Sequence, residues 1–323
     1  MTQLTAPVVM RDVTRRFNGV TAVSHLTLDV PEGTILGLIG PSGSGKTTVV
    51  RMLTGTLRPT AGAVRVLGED PRRFRRRTRE RVGYVPQLFV LYPDLSVAEN
   101  LSFVASLFGV MWWRKRRRVR EVLELVELWD VRNRRAKDLS GGMQRRLVLA
   151  SALVHEPQVL FVDEPTAGID PILRQTIWDE LRRLRDSGHT LLVTTQYVGE
   201  AEYCDTVALL TEGRLVAYAQ PDEMRRSVVG GEALLVETVR VVEPETLTHV
   251  GGVTAVEQTG PRTLVVRTAD AAKTGPDIVE AIARAGNEVA AMSEYRPSFD
   301  EVFTALVEQS QPVGTQDAGG GGA

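Results

Sequence analysis

The sequence has almost nothing that would suit an oxidising compartment: one cysteine, Cys204, in 323 residues. A single thiol excludes an intrachain disulfide, and its neighbours Tyr203 and Asp205 give no metal-ligand spacing. Cys204 therefore reads as a structural residue in a reducing compartment. A membrane span is also lacking. The longest apolar stretch, 104–113, is interrupted by Ser106 and falls far short of the roughly 20 residues that cross a bilayer. Residues 1–11 carry no apolar h-region, so no secretory leader is expected. Net charge is nearly absent: 39 basic against 40 acidic residues leave a formal charge of -1. No global field draws such a chain onto nucleic acid or anionic lipid. Lysine is scarce, with 35 arginines to 4 lysines, a bias that fits GC-rich codon usage and carries no functional reading.

What is present suits a globular protein. Hydrophobic residues make up 43% and charged residues 24%, enough to bury a core, and the length suits one large domain plus one small. Strands are expected at 8–12 and 26–30, then a short apolar run at 34–39 entering a glycine-rich loop. Helical character follows over 47–53, with Gly55 as the stop. The stretch 97–128 is helix-rich, with a periodic face at Val119, Val122, Leu123 and Val126. A helix at 141–155, a buried strand at 159–162, a helix at 174–186 and a strand at 190–194 complete an α/β alternation. That order implies a mainly parallel sheet with helices on its faces. Beyond Gly230-Gly231 the pattern becomes strand 233–242, helix 244–250, strands 253–258 and 263–268, helix 276–285 and strand 287–293. This βαββαβ order suggests a small ferredoxin-like α+β domain. A last helix is expected at 299–307, then a polar, glycine-rich tail. The expected domains are 1–228, with a helical subdomain at about 88–156, then 229–308, with a disordered tail at 309–323.

Three segments carry chemistry. Gly40-Pro41-Ser42-Gly43-Ser44-Gly45-Lys46-Thr47, continued by Thr48, matches the P-loop pattern. Its glycines let backbone N–H groups turn inward around phosphate oxygens, and the following helix adds its positive end. Lys46 is expected to reach the β- and γ-phosphates of ATP, and the Thr47 hydroxyl to bind Mg²⁺. The run 159–164 is an apolar strand ending in Asp163 and Glu164, at the strand end where α/β sheets bind ligands. Asp163 is expected to hold Mg²⁺, and Glu164 to orient or deprotonate the attacking water. In the third segment, Leu139 to Gln144, Ser140 is a good N-cap, and Gly141 and Gly142 leave backbone N–H groups open to an anion.

With these motifs in this order, residues 8–225 resemble a nucleotide-binding subunit of the ATP-binding cassette (ABC) transporter family. The resemblance implies a P-loop NTPase fold with a helical subdomain. It also implies that Ser140, Gly141 and Gly142 touch ATP held by a second copy of the chain. By position, Phe17 would stack on adenine, Gln87 would contact Mg²⁺ and relay nucleotide state to a transmembrane permease, and Asp170 would line the interface between subunits. One position departs from the family pattern: Gln196 stands where a histidine usually contacts the γ-phosphate. Its amide can donate to phosphate but cannot titrate. Gln196 followed by Tyr197, Glu200, Ala201 and Glu202 is similar to the daunorubicin-type drug and antibiotic exporters, as is the segment 297–303. Phe299 replaces a more usual aliphatic residue there.

The expected function is therefore an ATPase that powers export of a drug, antibiotic or lipid-like substrate from the cytoplasmic face of the plasma membrane. Two alternatives stand beside it: a soluble cassette ATPase acting on ribosomes or DNA, and an ATP-sensing module without turnover. The single cassette, without sustained heptads, weighs against the first, and the Asp163-Glu164 pair against the second. Arg72 to Arg81 holds seven arginines and Arg114 to Arg118 five basic residues after Trp112-Trp113. With no broad basic excess, no nucleic-acid partner is expected. These runs read as solvated surface, or as contacts with lipid headgroups or the membrane partner.

Overall fold

A computed structural model describes residues 6–87 and 91–310. The chain divides into two units, residues 1–220 and 221–323. In the first, β1 (Val8–Phe17), β2 (Val20–Val30), β3 (Ile35–Ile39), α1 (Lys46–Leu53) and β4 (Ala61–Val66) come first. They are followed by α2 (Arg76–Arg79), β5 (Val82–Val85), α3 (Val97–Leu107), α4 (Trp112–Leu125) and α5 (Gly141–Leu153). Then come β6 (Val159–Asp163), α6 (Pro171–Asp186), β7 (Thr190–Thr195), β8 (Thr206–Thr211) and β9 (Arg214–Ala219).

A six-stranded sheet in the order β5-β6-β7-β3-β8-β9 is parallel except for the antiparallel edge strand β9. Its central strands read as unbroken apolar runs because both faces are covered. Every residue of β3, β6 and β7 is buried. A separate antiparallel sheet, β2-β1-β4, packs Met10, Leu26 and Leu28 into the same core as Leu36, Leu38, Val49, Leu53 and Phe161. Helix α1 is thereby clamped by Val49, Val50, Met52 and Leu53, each worth about 1.5–3 kcal/mol of apolar burial. β1 extends beyond the expected 8–12. Its register shifts near Asp12, where φ is +50°, and the bulged strand continues to Phe17.

α3, α4 and α5 form the helical part. Ser96 and Glu99 make a reciprocal capping box at the start of α3. Val119, Val122, Leu123 and Val126 are all buried, as their spacing predicts. The expected helical subdomain begins at about 88, and residues 88–90 lie outside the described ones. Among the described residues no helix is long and apolar enough to cross a membrane. Cys204 is buried, and burial pushes its thiol pKa far up.

The second unit holds α7 (Pro221–Val229), β10 (Glu232–Thr238), α8 (Glu245–Thr248), β11 (Val253–Gly260), β12 (Thr263–Thr268), α9 (Ala271–Arg284), β13 (Val289–Glu294) and α10 (Phe299–Ser310). Its sheet order, β11-β12-β10-β13, is antiparallel throughout and places β12 between the two strands joined through α8. This is the ferredoxin-like arrangement of a βαββαβ chain. Leu234, Val236, Leu264 and Val266 pack with Ile278 and Ile282 of α9, while Ala233 and Val265 pack with Val229 of α7. α7, which the expected boundary at 228 left in the first domain, belongs to this unit. α9 starts five residues before the expected 276, because Asp270 caps it through the Lys273 N–H. Pro276 sits inside and costs one backbone hydrogen bond. α10 runs through Ser310, so the expected tail is helical at 309–310; the rest of it lies outside the described residues.

Candidate functional site

β3 delivers the P-loop at the C-terminal end of the parallel strands. Gly40 N donates to Thr195 O at 3.2 Å, tying the loop to the end of β7. A Cβ on Gly40 would lie 2.0 Å from Leu210 O, so a larger residue has no room there. Pro41, Ser42 and Gly43 form the exposed rim, and Thr47 and Thr48 are half-buried. Gly45, at φ +104°, is the N-cap of α1 and supplies no side-chain acceptor. The first-turn N–H groups are thus left for an external anion. Ser44 Oγ is buried with no hydrogen-bond partner. An uncapped helix start and an orphaned buried hydroxyl in a glycine loop fit a phosphate group.

Lys46 is buried and points back along the loop. Its Nζ donates to Gly40 O at 2.8 Å and Pro41 O at 3.0 Å, and lies 3.5 Å from Glu164 Oε1. Burial lowers its pKa, while Glu164 and Asp163 oppose that shift. Asp163, at the end of β6, is also buried, with Oδ1 3.5 Å from Thr47 Oγ1. Glu164 follows in a left-handed turn at φ +47°, which aims its side chain at the loop. Gln87 Nε2 donates to Glu164 Oε2 at 2.7 Å. Lys46, Thr47, Gln87, Asp163 and Glu164 therefore form one connected group drawn from three segments. The oxygens of Thr47, Asp163 and Gln87 are a hard donor set that suits Mg²⁺.

One residue of this group was not anticipated. Thr194 Oγ1 donates to Asp163 Oδ1 at 2.6 Å and accepts from Glu164 N at 2.9 Å. It holds both carboxylate residues from the neighbouring strand. A threonine one position before the end of a buried strand is the only sequence signal for it.

The other expected residues lie around this group. Phe17, 40% exposed, ends β1 with the Arg15 guanidinium 4.3 Å from its ring centroid. Gln196 is exposed immediately after β7, beside the strand end that anchors Gly40. Its neighbour Tyr197 lies under Arg174, at 4.0 Å, which also pairs with buried Glu200 at 3.4 Å. Ser140 caps α5 through the Met143 N–H at 3.3 Å. Gly142 sits against Leu173, where a Cβ would be 3.1 Å from that side chain, and a Cβ on Gly141 would meet open space. Asp170 caps α6 by accepting from the N–H groups of Ile172 and Leu173 at 3.0 Å. The segment Leu139 to Gln144, hereafter the signature, and Asp170 thus form a second group. Among the described residues no hydrogen bond or ion pair joins Ser140, Gly141 or Gly142 to the P-loop.

Comparison with known proteins fits this geometry. Residues 23–167 match the family described as ABC transporter, and 220–307 match the C-terminal domain of the DrrA1-3-like ATP-binding proteins. A daunorubicin/doxorubicin resistance ATP-binding protein, DrrA, of Streptomyces peucetius is 37% identical over 94% of this chain and 93% of its own length. The chain belongs to the ABC transporter family. A Nod factor export ATP-binding protein I of Burkholderia orbicola is 40% identical over 71% of this chain and 76% of its own. Among solved structures, the ATP-binding subunit of an ABC transporter superposes with a TM-score of 0.62 at 25% identity, covering 69% of this chain and 93% of that one. The cbiO1 protein of Clostridium perfringens gives 0.63 at 26% identity, over 70% and 94%. As an ABC subunit the chain binds nucleotide and hydrolyses ATP.

Packing within the second unit accounts for Phe299. This ring is buried under the Arg225 guanidinium at 4.2 Å, and Arg225 Nε donates to Pro297 O at 3.2 Å. Ser298 and Glu301 form a capping box that starts α10. An aromatic residue fits where a guanidinium supplies its cover.

Proposed function

We propose that two copies of this chain bind Mg²⁺-ATP between them, and that hydrolysis drives export of a drug or antibiotic through a separate permease at the cytoplasmic face of the membrane. The observation that carries the reading is the link Lys46–Glu164–Gln87. It joins the phosphate loop, the proposed base and the residue expected to face the permease. Lys46 and the N–H groups of the loop bind the phosphates. Glu164 orients a water and accepts its proton as that water bonds to the γ-phosphorus and the bond to ADP breaks. Bound Mg²⁺ supplies charge neutralisation at the phosphate oxygens. Phe17 stacks on adenine, and Gln196 donates its amide to the γ-phosphate.

Pairing is supported by the separation of two groups that each suit phosphate. The Ser140–Gly142 turn, with Asp170 beside it, completes the site of the opposite copy in an isologous dimer. The loss of γ-phosphate breaks that bridge and opens the pair. A cleft of about 550 Å³, lined by Phe74, Tyr84, Leu91, Val104 and Phe108 with Arg72 and Arg79, lies near Gln87 and suits a short helix of the permease. The drug or antibiotic class of cargo rests on the DrrA-type relative. The test is Mg²⁺-dependent phosphate release by the purified chain, with and without Glu164→Gln. Release is expected from the native chain and almost none from the variant; equal rates would remove Glu164 from the chemistry.

A further inference from the structure

Two exposed tryptophans and both arginine-rich runs come together at one corner of the helical part. The first turn of α4 lies back on the end of α3, where Lys115 Nζ donates to Ser106 Oγ at 3.1 Å. Leu107, Met111, Trp112 and Trp113 are all exposed at this turn, Trp112 to 78% and Leu107 to 69%. The two indoles meet edge-on with centroids 5.8 Å apart. Phe103, one helical turn before Leu107 on the same face, is exposed and meets Tyr92 edge-on at 4.8 Å. Scattered exposed apolar residues are ordinary, but a cluster of this kind marks an interaction surface.

The basic residues converge on the same corner. A Cβ on Gly109 would lie 2.7 Å from Arg76 Nη2 and 3.4 Å from Glu80 Oε1, so α2 sits beside the α3–α4 turn. A cleft there is lined by Glu80, Met111, Arg114, Arg118 and Glu156. Each nearby carboxylate is already engaged. Arg76 holds Glu80 at 2.9 Å, and Arg114 and Arg118 hold Glu156 at 3.3 Å. Arg117 holds Glu121 at 3.3 Å, and Arg120 holds Glu124 at 2.7 Å. Cations outnumber these acids, and Arg73, Arg77 and Arg116 are exposed besides. The chain is near neutral as a whole, so this is a local field that acts within about 10 Å.

The geometry points to a direct contact with an anionic lipid surface, in which Trp112 and Trp113 enter the headgroup zone while the surrounding arginines pair with lipid phosphates. Indole has an apolar body and a polar N–H and favours that zone. The guanidinium fork matches phosphate, and its long stem lets it lie along an apolar surface. The deeper turns of α4 are committed to the protein core through Val119, Val122 and Leu123. Insertion is therefore shallow and reversible. The contact involves none of the nucleotide-site residues and does not rest on the proposed catalytic roles.

The test uses the whole chain with vesicles of phosphatidylcholine alone, or mixed with phosphatidylglycerol, read by flotation and tryptophan fluorescence. The expected result is flotation and a blue shift with the anionic vesicles only, both reversed by high salt. Trp112→Ala with Trp113→Ala should abolish the blue shift without lowering basal ATPase. Each arginine removed from Arg73, Arg77 or Arg116 should weaken binding about fivefold. Equal binding to both vesicle types, or unchanged binding by the double tryptophan variant, overturns the proposal. No vesicle binding by the native chain, with loss of permease co-purification in the tryptophan variant, overturns it in favour of a protein partner.

Discussion

Replacing Thr194 with valine removes one hydroxyl and little else. The residue is fully buried, and valine keeps its shape. The hydroxyl donates to Asp163 Oδ1 at 2.6 Å and accepts from Glu164 N at 2.9 Å. Glu164 N keeps a second acceptor, Thr194 O at 3.1 Å, so that N–H is not orphaned. The main loss is a hydrogen bond to a buried carboxylate, worth about 1.5–3 kcal/mol. For a cassette of this size, that lowers Tm by about 3–12 °C. Catalysis should fall further, because a 1 Å displacement of a reacting group can cost on the order of 10²-fold. The expected outcome is a fall in kcat approaching that size with the KM for ATP little changed, measured by phosphate release beside a thermal melt. Thr194→Ser, which keeps the hydroxyl, should recover most of the rate. Full kcat in the valine variant would refute the positioning role, and an equal loss in the serine variant would assign the effect to packing.

Other perturbations follow from the same geometry. Glu164→Gln keeps an oxygen for Gln87 but loses the base, so ATP binding should persist, turnover should fall at least about 10²-fold, and an ATP-dependent dimer should accumulate on size-exclusion chromatography. Gln196→His should be tolerated, because the position is exposed and imidazole can also donate; complete loss of ATPase would reveal a specific role for the amide. Gly45→Ala should abolish nucleotide binding and lower the melting temperature, since φ is +104° and the new Cβ would lie 2.5 Å from Ala22 O. His155, stacked on Phe108 at 3.9 Å, has its pKa lowered by burial from the usual 6.5. The folded chain then binds fewer protons than the unfolded one just below that value, so stability should fall as pH drops through about 6.5. A melting temperature flat across that range would contradict it.

The parts of the site that are local in sequence were legible. The P-loop, the Asp163-Glu164 strand end and the Ser140 cap are each read within a few residues, because strand, turn and helix start impose fixed residue types at fixed spacing. β1 runs beyond the expected 8–12 because bulges near Asp12 break the alternation that marks a strand. α9 begins before the expected 276 because Asp270 is its cap, while Pro276 is a residue type that suits a first turn. The role of Thr194 is not legible in sequence because its partners lie 30 and 31 positions away, at the end of a neighbouring strand. The two arginine runs lie far apart in the sequence, and the packing of α2 beside Gly109 brings them to one corner. What stayed hidden was long-range pairing, to which periodicity and caps do not speak.

The central claim is that each hydrolytic site is shared by two copies of the chain. Lys46→Ala removes the phosphate-binding ammonium, and Gly141→Asp puts a carboxylate at the signature, where open space lets the fold accept it. Each variant alone should lack ATPase. Mixed in equal amounts, they should recover up to about a quarter of the native rate, since half the dimers pair an intact P-loop with an intact signature. If the mixture stays as inactive as its components, while both variants still form dimers, the shared site is contradicted.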